Sequence, residues 1–272
     1  DEIFGGYGRV QSSGFDYDKI NFIKRNFPSY FQKYLFKLLG LKGDISSFKD
    51  HFFSVYNWVP FNQKSELLSK DFLNITNDDK KIHEFWNYEF NQIKHLTSTN
   101  KLLYIFQKHH LRCLLDRLDL MSMAHGVETR VPFCDFRVVE LMSKIPIKYK
   151  FRWKSVMHKF FALGKTSSKF SENYDISKFL LRKFSSSMLP NKISYKKKLG
   201  FPVPLDEWMG EKFKSFAKEI LLDSRSINRK LYNQTVVENL INNKENIDYD
   251  FWGKKIWMLI NIELWHREAF DR

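Results

Sequence analysis

Residues 119–135 read Asp-Leu-Met-Ser-Met-Ala-His-Gly-Val-Glu-Thr-Arg-Val-Pro-Phe-Cys-Asp. On the N-terminal side, Leu111, Leu114, Leu115 and Leu118 recur at helical spacing and carry one apolar face into this stretch. On the C-terminal side, Pro132 and an N-capping Asp135 open a second helix. Its apolar positions Val138, Val139, Leu141, Met142 and Ile145 run to a stop at Pro146. The stretch predicts two helices joined by a turn, with Glu128 and Arg130 pairing in a partly buried junction. Whether that pair is structural or lines a site is open at this level.

The helical period recurs further along. Phe179, Leu180 and Phe184 fall on a helix that ends before Pro190, and Trp252, Ile256, Leu259, Ile260 and Trp265 give a strongly amphipathic last one. Alternating polar and β-branched runs are sparse, so the expectation is a mostly α chain with very little strand. Gly, Ser, Lys and Asp cluster at 40–50, and a polar run occupies 76–81, which makes residues 10–100 read as a looser helical excursion. Residues 163–177 read as an exposed loop. Gly164-Lys165-Thr166 within it lacks the earlier glycine that a phosphate loop requires.

Composition narrows the class. Of 272 residues 43% are apolar, with 27 Phe and 7 Trp, enough for a substantial core and against disorder. No apolar run approaches the roughly 18 residues of a membrane span. Cys113 and Cys134 are too few for a disulfide framework and have no metal-ligand spacing, so a reducing, cytoplasmic setting is expected. Lys and Arg number 45 against 31 Asp and Glu, a net charge of +14 that concentrates anions without choosing among nucleotide, pyrophosphate and nucleic acid.

Two basic constellations sharpen that choice. Lys178 and Arg182 are spaced to put two cations on one helical face, where they repel unless an anion or solvent lies between them. Residues 193–205, Ile-Ser-Tyr-Lys-Lys-Lys-Leu-Gly-Phe-Pro-Val-Pro-Leu, read as a mobile positive loop suited to a phosphate chain, or as a generic basic patch. The opening Asp1-Glu2-Ile3-Phe4-Gly5-Gly6-Tyr7 reads as the end of a motif that begins outside the chain. The chain is accordingly expected to be the C-terminal portion of something longer.

Taken in order, the 1–7, 119–135, 178–182 and 196–205 segments closely resemble the synthetase domain of glutamine-dependent asparagine synthetases, and Trp257-Met258-Leu259 and Glu263-Leu264-Trp265 are similar to that family's C-terminal helix. The likeness is strong from 111 to 210 and weak between about 10 and 105, so the chain divides into a variable helical region, 10–105, and a motif-bearing region, 106–272. What the resemblance implies is the helical C-terminal half of an α/β, adenine-nucleotide α-hydrolase-like ATP-pyrophosphatase domain, with the glutaminase domain and the nucleotide loop not represented. It implies ATP and Mg2+ as cofactors, with aspartate and glutamine-derived ammonia as substrates. The side-chain carboxylate would be adenylated, then amidated, giving asparagine, AMP and pyrophosphate. A homodimer of the parent is compatible with it; the isolated chain is expected to be inactive.

Residue by residue, Asp1 matches an aspartate that helps hold Mg2+ on pyrophosphate, a role for a hard oxygen ligand. Lys198 matches the lysine that stabilises charge on the α-phosphate as pyrophosphate leaves. Lys178 matches a further phosphate-contacting lysine, with Arg182 its neighbour and Lys196 beside the loop lysine. Arg117, Asp119, Glu128 and Arg130 fall in the segment that lines or braces the site. Two positions depart from the pattern: Leu120 and Lys196 each stand where arginine is common, and Lys196 keeps charge but loses the planar guanidinium fork. These departures leave room for a relative that amidates another carboxylate. Two other classes stay open, a basic helical nucleic-acid-binding module and a scaffold that has lost catalysis. The ligase reading predicts no specific nucleic acid, and it predicts that Asp1, Lys178 and Lys198 converge on one cleft.

Overall fold

The computed structural model describes residues 1–57, 59, 61–198, 203–208, 211–242 and 252–271. Part of the basic loop expected at 193–205 therefore lies outside the described residues, at 199–202. The described chain is mostly helical, as the spacing predicts. Strand among the described residues is confined to Arg152–Trp153 paired antiparallel with Asp175–Ile176, in register Arg152 to Ile176 and Trp153 to Asp175, and one isolated bridge between Leu68 and Tyr232. No helix among the described residues is long and apolar enough to cross a membrane.

The chain forms two compact units, one of residues 1–55 and 88–199, the other of 56–87 and 200–272. These are packing divisions and do not follow the variable and motif-bearing stretches of the sequence. In the first unit, Ile20, Ile23, Phe36, Leu41 and Ile45 form one buried cluster, and Phe52, Leu102, Ile105 and Phe106 are buried as well. In the second, Trp252, Ile256, Leu259 and Ile260 of the last helix, Trp252–Phe270, pack with Leu221, Val237 and Ile241. Trp265, expected on the same face, is largely exposed.

Several expectations are corrected. The 40–50 region is tightly built: Gly40, at φ 65°, is the left-handed cap of the helix Ser29–Leu39. Ser47 and Asp50 then form a reciprocal capping box, with Ser47 N donating to Asp50 Oδ2 at 2.9 Å and Asp50 N to Ser47 Oγ at 3.2 Å, and it opens Phe48–Tyr56. Polar residues there are caps for an aromatic core. The 163–177 segment is likewise anchored, since Ser167, Phe170, Asp175 and Ser177 are buried and Ser167 N donates to Asp16 Oδ2 at 2.7 Å.

The two helices flanking 119–135 form where the pattern puts them, Leu111–Met123 and Phe136–Lys144, the second capped by Asp135, which accepts from Arg137 N. The first buries no residue and the second only Met142. Leu118, Met121, Phe136 and Leu141 are exposed while Leu111, Leu114, Leu115, Val138, Val139 and Ile145 are half-buried, so the apolar faces legible in the sequence are only partly covered by the described residues.

Candidate functional site

The first six residues double back on themselves. Gly6 N donates to Asp1 O at 2.7 Å, and Gly5 adopts φ 76°, a left-handed conformation that favours glycine. The reason for the second glycine is space. A Cβ on Gly6 would overlap Asp1 Oδ1 and Lys178 Cε, so the residue has to be bare for the lysine to reach the carboxylate.

Lys178 departs from the expectation that it shares a helical face with Arg182. It is the N-cap of Phe179–Ser185 at φ 51°, outside the helix, and its backbone N donates to Gly5 O at 3.2 Å. That bond ties the opening turn to the helix start. The left-handed cap aims the Lys178 ammonium at Asp1 Oδ1, which it touches. From the other side Lys198 Nζ donates to Asp1 Oδ2 at 2.6 Å and to Gly6 O at 2.9 Å, and it sits 4.2 Å from the centre of the Tyr7 ring. Three residues separated by up to 197 positions thus meet at one carboxylate.

Arg182 is 9% exposed and turned inward. Its Nε donates to Ser177 O at 2.8 Å and its Nη1 to Ser194 O at 3.3 Å and Lys196 O at 2.8 Å, while Nη2 reaches Glu172 Oε2 at 3.4 Å. The guanidinium therefore stitches the Lys178 segment to the Lys198 segment. Its charge is answered by Glu172 and not by an anion between two helical cations. Lys196 enters this network through its carbonyl; its side chain is exposed.

Electrostatics follow from the crowding. Burial, with the Lys178 charge adding to it, pushes Lys198 down to about 8 against the carboxylates of Glu2 and Glu172. Burial also lowers Lys178, reinforced by Arg182. Both lysines are thus cations held in a partly desolvated place, where a phosphate oxygen would be attracted more strongly than in water. Asp1 Oδ1 touches Lys178 without hydrogen-bond geometry and is left a buried acceptor with no hydrogen bond. With Lys178 turned to a phosphate oxygen, Asp1 Oδ1 would be free to serve as one hard-oxygen ligand of a Mg2+ that takes its other ligands from phosphate and water. Among the described residues no cluster of three metal-ligating side chains exists that would hold a metal unaided.

The 119–135 stretch reaches this turn through Phe133, whose ring meets Phe4 edge-on at 5.4 Å. Glu128 and Arg130 do pair, at 2.7 Å, but with side chains 65% and 83% exposed; the partly buried junction is not observed. Arg117 and Asp119 are also exposed. Of the residues singled out in the sequence, Asp1, Lys178 and Lys198 come together, Arg182 and the Lys196 backbone brace them, and Arg117, Asp119, Glu128 and Arg130 stay outside that network. Sequence reasoning missed Tyr7 and Glu172. Tyr7 had a signal in its place beside Gly6, whereas Glu172 had none, because only folding brings it to Arg182.

The class these features define is that of the family whose model, described as asparagine synthase, matches residues 1–267. The chain belongs to that family. It is similar to asparagine synthetase [glutamine-hydrolyzing] 1 of Bacillus subtilis (strain 168), at 25% identity over 74% of this chain and 28% of the relative. Asparagine synthetase [glutamine-hydrolyzing] 3 of the same organism is 35% identical over 38% of this chain and 13% of its own length. A putative asparagine synthetase [glutamine-hydrolyzing] of Mycobacterium bovis is 28% identical over 35% of the chain and 12% of its own. The chain thus spans well under a third of the curated relatives it matches. No solved structure matches.

Proposed function

We propose that this chain supplies the pyrophosphate-handling part of an ATP-dependent amide ligase that makes asparagine with ammonia drawn from glutamine. The observation that carries the reading is the convergence of Lys178 and Lys198 on Asp1, in a turn that only glycine at position 6 permits. Family membership and the relatives' glutamine-hydrolysing names support the overall reaction.

In this reading an aspartate side-chain oxygen attacks the α-phosphorus of ATP, the bond to the β-phosphate breaks, and ammonia then displaces AMP from the acyl carbon. Asp1 would hold Mg2+, which supplies positive charge to the pyrophosphate oxygens. Lys198 would meet the charge that grows on the phosphates as the bond breaks, and Lys178 would bind the departing pyrophosphate. Arg182 would act through the backbone, holding the two lysine segments at a fixed separation. Arg117, Asp119, Glu128 and Arg130 are assigned to bracing the substrate side, and the exposed Lys196 to long-range attraction of the nucleotide.

The test places Lys198→Ala in the parent enzyme and compares aspartate-dependent pyrophosphate release with ATP affinity. A contact that strengthens in the transition state lowers turnover far more than binding, with release falling on the order of a hundredfold or more. Equal losses in both would reassign Lys198 to ground-state binding.

A further inference from the structure

We propose that Tyr7 is a positioning residue for Lys198: its ring holds the ammonium in place, and is itself held by a π-helical turn at Phe106–His110. The inference rests on the proposed role of Lys198 but concerns a residue which that role does not include. Among the described residues Lys198 Nζ contacts Asp1 Oδ2, Gly6 O and the face of Tyr7, the last at 4.2 Å. Two of these belong to groups the phosphate chemistry would disturb. Asp1 is the proposed metal ligand, so on phosphate binding its hold on Lys198 is shared with the metal. The Tyr7 ring cannot be drawn away in that manner. A cation over an aromatic face is attracted without a hydrogen bond that a phosphate must break, leaving the ammonium's donors available.

The ring is itself well supported. Phe106 packs on Tyr7 at 5.7 Å between centroids, and His110 meets it edge-on at 5.6 Å. Both come from the five-residue π-helical turn between the helices Ser98–Ile105 and Leu111–Met123. Such turns are rare and gather at functional sites, because the widened turn re-aims side chains that an α-helix would point elsewhere. Here the same turn also holds the opening segment by its backbone, Gln107 Nε2 donating to Glu2 O at 3.3 Å, with His110 Nε2 lying 3.9 Å from Glu2 Oε1. His109 and Lys108 of the turn are pinned in turn by the buried Glu89. One widened turn therefore sets where Tyr7, and through it Lys198, is placed.

The experiment uses this chain with 13C-labelled lysine. The Lys198 side-chain methylene signal, identified by its loss in Lys198→Arg, is expected to lie upfield of the other lysines because it sits in the shielding cone of the Tyr7 ring. Tyr7→Leu, apolar but without a π face, should abolish that displacement; Tyr7→Phe should retain it, and His110→Ala should reduce it. Inorganic pyrophosphate titrated in the presence of Mg2+ should bind about threefold to tenfold more weakly to Tyr7→Leu than to Tyr7→Phe, the range expected of a partly desolvated cation–π contact. A Lys198 signal at the ordinary lysine position, or one unmoved by Tyr7→Leu, overturns the proposal. Pyrophosphate that binds neither protein while the signal is displaced would instead overturn the phosphate-handling role and leave the Tyr7 placement standing.

Discussion

The unit containing residues 1–55 and 88–199 buries Gln11, Asp16, Lys19, His51, Asp175 and Arg182, whereas the unit of 56–87 and 200–272 is centred on Trp252, Leu221, Val237, Ile241 and Ile256. In the second unit the most deeply buried charge is Glu263, which Arg229 and Arg267 satisfy at 3.0 and 2.9 Å, and Asp79 and Lys255 are buried too. Buried polar atoms without a hydrogen bond occur in both: the Gln11 amide, His51 Nδ1 and Asp1 Oδ1, the last touching Lys178, in the first, and the Gln234 amide and Ser226 Oγ in the second. Unpaired buried polar groups cost stability. Both units accept that cost; the first encloses many more charged and polar side chains, whereas the second packs around a larger apolar cluster.

The largest effect that would test this contrast is in the apolar unit. Trp252→Ala removes a fully buried ring whose Nε1 donates to Leu240 O at 2.6 Å, and should destabilise the chain by about 3–5 kcal/mol in urea denaturation. A loss below about 1 kcal/mol would mean that this core is not what holds the unit together. Glu263→Gln should cost less, about 1–3 kcal/mol, because it removes the buried charge that Arg229 and Arg267 share while leaving them Asp271 and Asp223.

A smaller stability change but a large functional one is expected in the polar unit. Gly6→Ala forces apart Asp1 and Lys178, and a displacement of about 1 Å should lower pyrophosphate release in the parent on the order of a hundredfold. Circular dichroism and melting should change little. Loss of the fold along with the activity would place Gly6 among the structural residues.

The polar unit also has a pH signature. Burial lowers His51 from 6.5 to about 4, against the opposing pull of Asp16, so its contribution is complete above pH 6.5 and is lost as pH falls through 4. Burial raises Asp175 from 3.8 to about 6, against the hydrogen bond it accepts from Glu172 N, so its contribution is complete below 3.8 and is lost as pH rises through 6. The two slopes oppose each other between about pH 4 and 6. Asp175→Asn should therefore leave stability rising with pH across that window by roughly 2–3 kcal/mol, and His51→Gln should leave it falling by a similar amount. Parallel pH profiles for the two variants would show that neither group titrates as its burial requires.

The smallest effect concerns the surplus of positive charge. A labelled oligonucleotide at physiological salt should bind only at the micromolar level or weaker, without sequence preference. Changing Lys196, Lys197 and Lys198 to Ala should reduce that binding only by the loss of three charges. Tight, selective binding abolished in the triple variant would favour the nucleic-acid reading over the ligase.

Helix was legible wherever apolar spacing marked one face, as in Leu111–Met123, Phe136–Lys144 and Trp252–Phe270, and capping chemistry at Asp135 located a boundary to the residue. Burial was not legible from the same pattern: the first of these helices encloses none of its leucines, because amphipathicity describes a face and not what covers it. Polar composition misled at 40–50 and 163–177, where glycine, serine and aspartate serve as caps and anchors for a Phe-rich core.

By itself the sequence determined the family, the helical class and the identity of the chemically suited residues, since Asp1, Lys178 and Lys198 are carried by short ordered motifs whose residue types are visible without coordinates. Only the tertiary structure decided how they are used. It took Lys178 out of its helix into a left-handed cap, turned Arg182 inward to Glu172 and three backbone carbonyls, and set Tyr7 beneath Lys198. Those outcomes depend on contacts between residues 5 to nearly 200 positions apart, and most of them follow from the packing of the whole unit, which local periodicity and charge spacing do not encode.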